Sequence, residues 1–121
     1  MLRRPDSRAA ARMSRRAYHG YWRARALASA GRETEALEVA KRTYSELALG
    51  DRDATFTETA ALVMLMDKLS EQIGRPDSVR AELEDALIAL RRVHADPERR
   101  SRELQRVLEW LTYRVEGPGN E

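Results

Sequence analysis

The chain contains no cysteine. That excludes disulfides, thiolate nucleophiles and cysteine-based zinc sites together, and it fits a reducing compartment such as the cytoplasm. Histidine is almost as scarce: His19 and His94 are the only two, and no Glu-x-x-His pair of the di-iron bundle type occurs. Both read as solvated or capping residues, so no metal ligation is expected. No glycine-rich phosphate loop or nucleophile elbow is present. The acids Glu82, Glu84 and Asp85 fall in the pattern of a solvated helix face. Together these absences predict a protein that is not an enzyme and needs no cofactor. No apolar run approaches the roughly 20 residues that span a bilayer, and the opening Met1-Leu2-Arg3-Arg4-Pro5-Asp6 lacks the apolar stretch of a signal peptide. A soluble cytoplasmic protein with no membrane partner is the expectation. β-branched residues are sparse and no period-2 alternation persists, which leaves no basis for a sheet.

What is present is a chain of 121 residues, 42% hydrophobic and rich in Ala, Leu, Glu and Arg. These are strong helix formers, and their number suits one domain with one core. The pattern predicts an all-α domain of about five antiparallel helices over 1–116, with a disordered tail at 117–121. The first helix is expected from an N-cap at Asp6 or Ser7 to about Ala30, on the stripe Ala10, Met13, Ala17, Tyr21, Ala24 and Ala28, with Gly31 as its stop. Gly20, inside it, either bends the helix or admits a close neighbour. The second is expected over Glu33 to Leu49 on Ala36, Leu37, Ala40, Tyr44 and Leu47, ending at Gly50. Asp51 to Asp53 offer caps for a third, from Ala54 to Ile73 on Leu62, Met66, Leu69 and Ile73, stopped by Gly74. Pro76 suits the first turn of a fourth, which carries Val79, Leu83, Ala86, Leu87, Leu90 and Val93. Asp96-Pro97-Glu98 reads as N-cap, N1 and an acid favoured by the helix dipole, opening a fifth on Leu104, Val107, Leu108, Leu111 and Val115. Short loops predict antiparallel neighbours.

Gly31-Arg32 and Gly74-Arg75 lie 43 residues apart, and each divides two helical runs. The stretch from Ala24 through Gly31 to Ala40 resembles a tetratricopeptide repeat, with Ala24 and Ala36 at its small positions, Leu27 at a large one and Gly31 at the turn. Thr43 stands where that family carries a small residue. In the second unit the alanine expected after the turn stands at Ala86. The spacing is similar to the longer, kinesin-light-chain type with a period near 42 residues, and the resemblance covers about residues 17–94. It implies tetratricopeptide-like hairpins closed by a C-terminal capping helix. It also implies a protein-interaction adaptor with a groove lined by the first helix of each hairpin. A plain helical bundle with similar turns is the alternative architecture.

Charge is divided unevenly along the chain. Residues 1–25 carry eight arginines against one aspartate, a net of +7, while fourteen bases against nineteen acids leave −5 for the rest. Arg8, Arg12, Arg15, His19 and Arg23 follow spacings of 4, 3, 4 and 4, so they share one helix face, flanked by Tyr18 and Trp22. Such a face either is solvated, or pairs with the acidic remainder of the chain, or binds an anionic partner. Trp22 and, on the fifth helix, Trp110 lie off the apolar stripes, where a tryptophan either packs on a second neighbour or anchors an interface. Arg8, Arg12, Arg15, Tyr18, Trp22, Arg23 and Trp110 are the candidate partner-binding residues. The expected partner is a protein or peptide, and an acidic one would complement the arginines; nucleic acid is the alternative. Two hairpins fall short of the three repeats that usually sustain a stack, which predicts a homodimer unless the fifth helix caps the array.

Overall fold

A computed structural model of the chain describes residues 5–50 and 56–117, with side chains described for 17–47 and 58–117. It contains five α-helices: α1 (Pro5–Ser29), α2 (Glu33–Gly50), α3 (Phe56–Gln72), α4 (Arg80–Val93) and α5 (Arg102–Glu116). Short 3-10 turns at Pro76–Val79 and Pro97–Arg99 precede α4 and α5. No strand occurs among the described residues. The fold is all-α, and its helices pack in adjacent pairs, α1 on α2, α2 on α3 and α4 on α5.

The two Gly-Arg turns are the same device. Gly31 (φ 81°) and Gly74 (φ 74°) adopt the left-handed conformation that a side chain disfavours. Gly31 N–H donates to the Ala28 carbonyl at 3.0 Å and Arg32 N–H to that of Leu27 at 2.9 Å. Gly74 N–H and Arg75 N–H repeat this pair of bonds onto Glu71 at 3.0 Å and Ser70 at 2.8 Å. Each turn is thus a Schellman motif, which satisfies carbonyls that the ending helix would otherwise leave bare. Gly117 (φ 84°) closes α5 with its N–H on the Tyr113 carbonyl at 2.8 Å. It lies another 43 residues along the chain. Gly117 is thus the C-cap of α5, and the rest of the expected tail, residues 118–121, lies outside the described residues.

Burial repeats with the same period. Ala36, Ala40, Thr43, Tyr44 and Leu47 are buried on α2, and Val79, Leu83, Ala86, Leu87 and Leu90, each 43 residues on, are buried too. The position after the second turn is therefore filled by Val79, from the 3-10 turn, and Ala86 is the counterpart of Thr43. Thr43 has its own explanation. A Cβ built on Gly20 would lie 2.8 Å from Thr43 Cβ and 2.6 Å from its Cγ2, so α1 and α2 touch at that point with no room for a methyl group. The small residue of the crossing sits on α1 rather than α2, and Ala24, Ala36 and Ala40, fully buried, continue the close approach.

Polar ties join helices two apart in sequence. Tyr44 Oη on α2 donates to Asp85 Oδ2 on α4 at 2.7 Å, and burial together with Asp85 pushes the phenol pKa well above its usual value. Lys41 Nζ donates to the Ser78 carbonyl at 2.9 Å and faces Glu82 at 3.5 Å. Arg114 of α5 grips buried Asp67 of α3, its Nε at 3.0 Å from Oδ1 and its Nη2 on the same oxygen. That bond raises the guanidinium pKa further.

Several boundaries differ from expectation. Asp6 and Ser7 lie inside α1, which is described from Pro5. The capping roles given to Asp51 and Asp53 fall outside the described residues. Pro76 opens a 3-10 turn rather than α4 itself, because the turn must bring Val79 into the core before the α-helix starts at Arg80. Asp96 does cap, accepting from Glu98 N–H at 3.0 Å, but what it caps is the second 3-10 turn. The N-cap of α5 is Ser101, whose hydroxyl accepts from Leu104 N–H at 3.1 Å. Val93, expected in the core, is exposed at the last turn of α4.

Candidate interaction surface

α1 places an aromatic ladder on its surface. Tyr18 and Trp22 are one helical turn apart and are 62% and 45% exposed. Their ring centroids stand 6.0 Å apart, and the Tyr21 ring meets Trp22 edge-on at 5.5 Å. The Arg25 guanidinium, three residues on, lies over the Trp22 ring at 4.7 Å and near that of Tyr21 at 5.7 Å, a cation–π arrangement worth about 0.5–1 kcal/mol at an exposed site. Tyr21 belongs to both worlds: it is half-buried against the core and supports Trp22 from below. Sequence reasoning missed Arg25 as a member of this group, although its spacing of three and four from Trp22 and Tyr21 was the available signal.

Arg23 and His19 are exposed beside the ladder. Among the described residues no carboxylate pairs with Arg23 or Arg25. Some arginines elsewhere are matched by acids, as in Arg32–Glu35 at 2.5 Å, Arg80–Glu84 at 3.3 Å and Arg99–Asp96 at 3.6 Å. For the described part of α1, pairing with the acidic remainder is thus not what occupies the basic face. Arg8, Arg12 and Arg15 lie on the same helix, and their side chains fall outside the described residues. Trp110 is on α5, half-buried and packed against the core cluster, so it shares no surface patch with the ladder. Its neighbour on the outer side of α5, Tyr113, is 58% exposed.

An open groove of about 430 Å³ runs beside α5, lined by Arg91, Arg100, Leu108, Thr112 and Tyr113 among others. Both arginines are engaged: Arg91 Nη2 donates to Thr112 Oγ1 at 3.0 Å and Arg100 Nε to the His94 carbonyl at 2.8 Å. Glu109 is the one acid that lines it, and the Thr112 hydroxyl donates to the Leu108 carbonyl at 2.7 Å. Among the described residues no group of three or more His, Asp or Glu could hold a metal ion, and no described helix is long and apolar enough to cross a membrane.

Comparison with protein-family models, with curated proteins and with solved structures finds no match to this chain. The class that geometry defines is an all-α protein of successively packed helices.

Proposed function

We propose that the chain is a non-catalytic, tetratricopeptide-like adaptor of the cytoplasm that binds a protein or peptide through the exposed surface of its first helices. The observation that carries this reading is the 43-residue recurrence of glycine-capped turns and buried positions. The ties between helices two apart support it as well: α1 packs on α3, Tyr44 joins α2 to α4, and Asp67 joins α3 to α5. A closed bundle would instead be expected to tie its first helix to its fourth, and no such tie is among the principal packed pairs. In a stack of hairpins each unit buries its apolar face on its neighbours and leaves the rest free to bind. Aromatic and arginine residues are the usual anchors of protein interfaces, and the ladder on α1 supplies both. α5 stands where a third hairpin would begin, so the open end at α1 is left either to a protein partner or to the homodimer expected from the sequence.

The test is capture by the immobilised full chain from nuclease-treated native lysate, with Trp22→Ala combined with Arg15→Ala as the control. Proteins retained by the wild type and lost with the double variant support the proposal. Equal retention by both refutes the assignment of the surface. The runner-up, a helical nucleic-acid-binding protein using the arginines of α1, is favoured by exposed Tyr18 beside a cationic face. It requires retention that nuclease abolishes and that weakens steeply with salt through lost counterion release.

A further inference from the structure

The 43-residue period assigns each position of α1 a counterpart on α3, and the two helices differ sharply on one face. His19, Arg23 and Ala26 correspond to Leu62, Met66 and Leu69. The three on α3 are buried to 1% exposure or less, and α3 packs against both helices of the preceding hairpin. The three on α1 are exposed, and no described element covers them. Trp22, also exposed, corresponds to half-buried Leu65. This side of α1 is therefore the open end of the stack, occupying the place where a preceding second helix would dock.

An end face of a repeat array is ordinarily polar for solubility alone. Two features exceed that need. A solvating face has no use for a half-exposed tryptophan held in place by two tyrosines and an arginine. Nor does it call for Arg23 and Arg25 to have no acid within four residues, where Arg32, Arg80 and Arg99 each pair with one. Asp6 is the one acid in the first 25 residues. In helical register Arg8, Arg12 and Arg15 extend the line of His19 and Arg23, each step rising roughly 5–6 Å.

We propose, building on the adaptor reading, that this face receives an acidic amphipathic helix of a protein partner, which packs on α1 as α2 packs on α3. Carboxylates three or four residues apart on such a helix match the pitch of the basic line, while its apolar side covers Trp22, Tyr18 and Ala26. Nucleic acid fits less well, because Arg25 already covers one face of the Trp22 ring and leaves less of it for a base to stack on.

The probe is an amphipathic helical peptide of about 18 residues, roughly 27 Å long, built from Leu, Ala and Glu. A matched peptide has every Glu replaced by Gln, and a short single-stranded oligonucleotide is the third ligand. Binding to the full chain is followed by anisotropy of the labelled ligand, and by Trp22 emission in a Trp110→Phe background. The Glu peptide should bind and shift Trp22 emission to the blue. The Gln peptide should bind about tenfold more weakly or worse, and Arg15→Glu with Arg23→Glu should weaken the Glu peptide by at least about tenfold. Met64→Glu, on the other exposed side of α3, should change nothing; Arg23→Gln is a milder variant should charge reversal disturb folding. Four results overturn the proposal: no binding of the Glu peptide, equal binding of both peptides, tighter binding of the oligonucleotide, or a self-associated chain that Arg23→Glu dissociates. If a nuclease-resistant partner depends on Met64 and Lys68 and ignores Arg23, the adaptor stands and the open-end proposal falls.

Discussion

Replacing Gly20 with alanine puts a methyl group where two helices already touch. It would clash with Thr43 Oγ1 and lie 2.6 Å from Cγ2 and 2.8 Å from Cβ. Rotation about χ1 moves the first two atoms away but leaves Cβ in place, so α1 and α2 have to separate. Helix propensity alone favours alanine by about 1 kcal/mol. Overpacking a contact that side-chain rotation cannot relieve costs about 3 kcal/mol, the upper end of the usual range. The net expectation for Gly20→Ala is a loss of about 2 kcal/mol of unfolding free energy, read from urea titrations followed by circular dichroism. Thr43→Gly removes all three clashing atoms and by itself costs about 1 kcal/mol for a glycine in a helix interior. Combining the two substitutions moves the glycine from one side of the crossing to the other. The double variant should therefore come close to wild type, giving a coupling energy of about 3 kcal/mol. If Gly20→Ala instead stabilises the protein by the propensity gain alone, the helices do not meet there and the hairpin geometry is wrong.

Three further outcomes follow from the polar ties and the exposed rings. Tyr44 keeps its proton in the folded chain to a higher pH than in the unfolded one, where it titrates near 10, so stability falls above that pH by about 1.4 kcal/mol per unit. Tyr44→Phe should lose about 1 kcal/mol at neutral pH with the Asp85 bond and show an alkaline slope shallower by that amount; an unchanged slope contradicts the assignment. Arg114→Met leaves the buried Asp67 carboxylate without its cation and should cost about 2 kcal/mol, below the figure for a fully buried pair because the guanidinium is partly exposed. Adding Asp67→Leu to it should recover most of that loss, and no recovery would mean that packing rather than charge is responsible. Acrylamide should quench Trp22 in the Trp110→Phe protein more strongly than Trp110 in the Trp22→Phe protein, since the former ring is the more exposed; the reverse order would displace the ladder.

The helices and their glycine stops were legible because their causes are local. Gly31 and Gly74 are required by left-handed turns whose bonds span only a few residues, and the apolar stripes of α2 and α3 are patterns of three and four. Boundaries that depend on tertiary contact were not legible. Pro76 looks like the first residue of α4, yet the chain must first deliver Val79 to the core. Asp96-Pro97 and Ser101 are both sound caps locally, and only packing decides which one starts the longer helix. The pairs Gly20–Thr43, Tyr44–Asp85 and Asp67–Arg114 join residues 23 to 47 apart in sequence, where no periodic pattern points to a partner. For the interaction surface, the helical wheel correctly brought Tyr18 and Trp22 outside the apolar stripe of α1. It could not say that Trp110, equally far off its own stripe, would lean on the core. Nor could it distinguish a basic face that pairs internally from one that does not, because that depends on where the acids of other helices come to lie.

The central claim, that α1 leaves open the face its counterpart α3 buries, can be read directly because the chain has no native cysteine to interfere. Ala26→Cys and Leu69→Cys place a thiol at equivalent positions of the two helices, and alkylation rates under native conditions report access to each. The account predicts that the thiol at position 26 reacts as fast as one in the urea-unfolded chain, and that the thiol at 69 is protected until the protein opens. Equal protection at both positions would contradict it, and so would equal reactivity in a protein whose urea midpoint shows it folded.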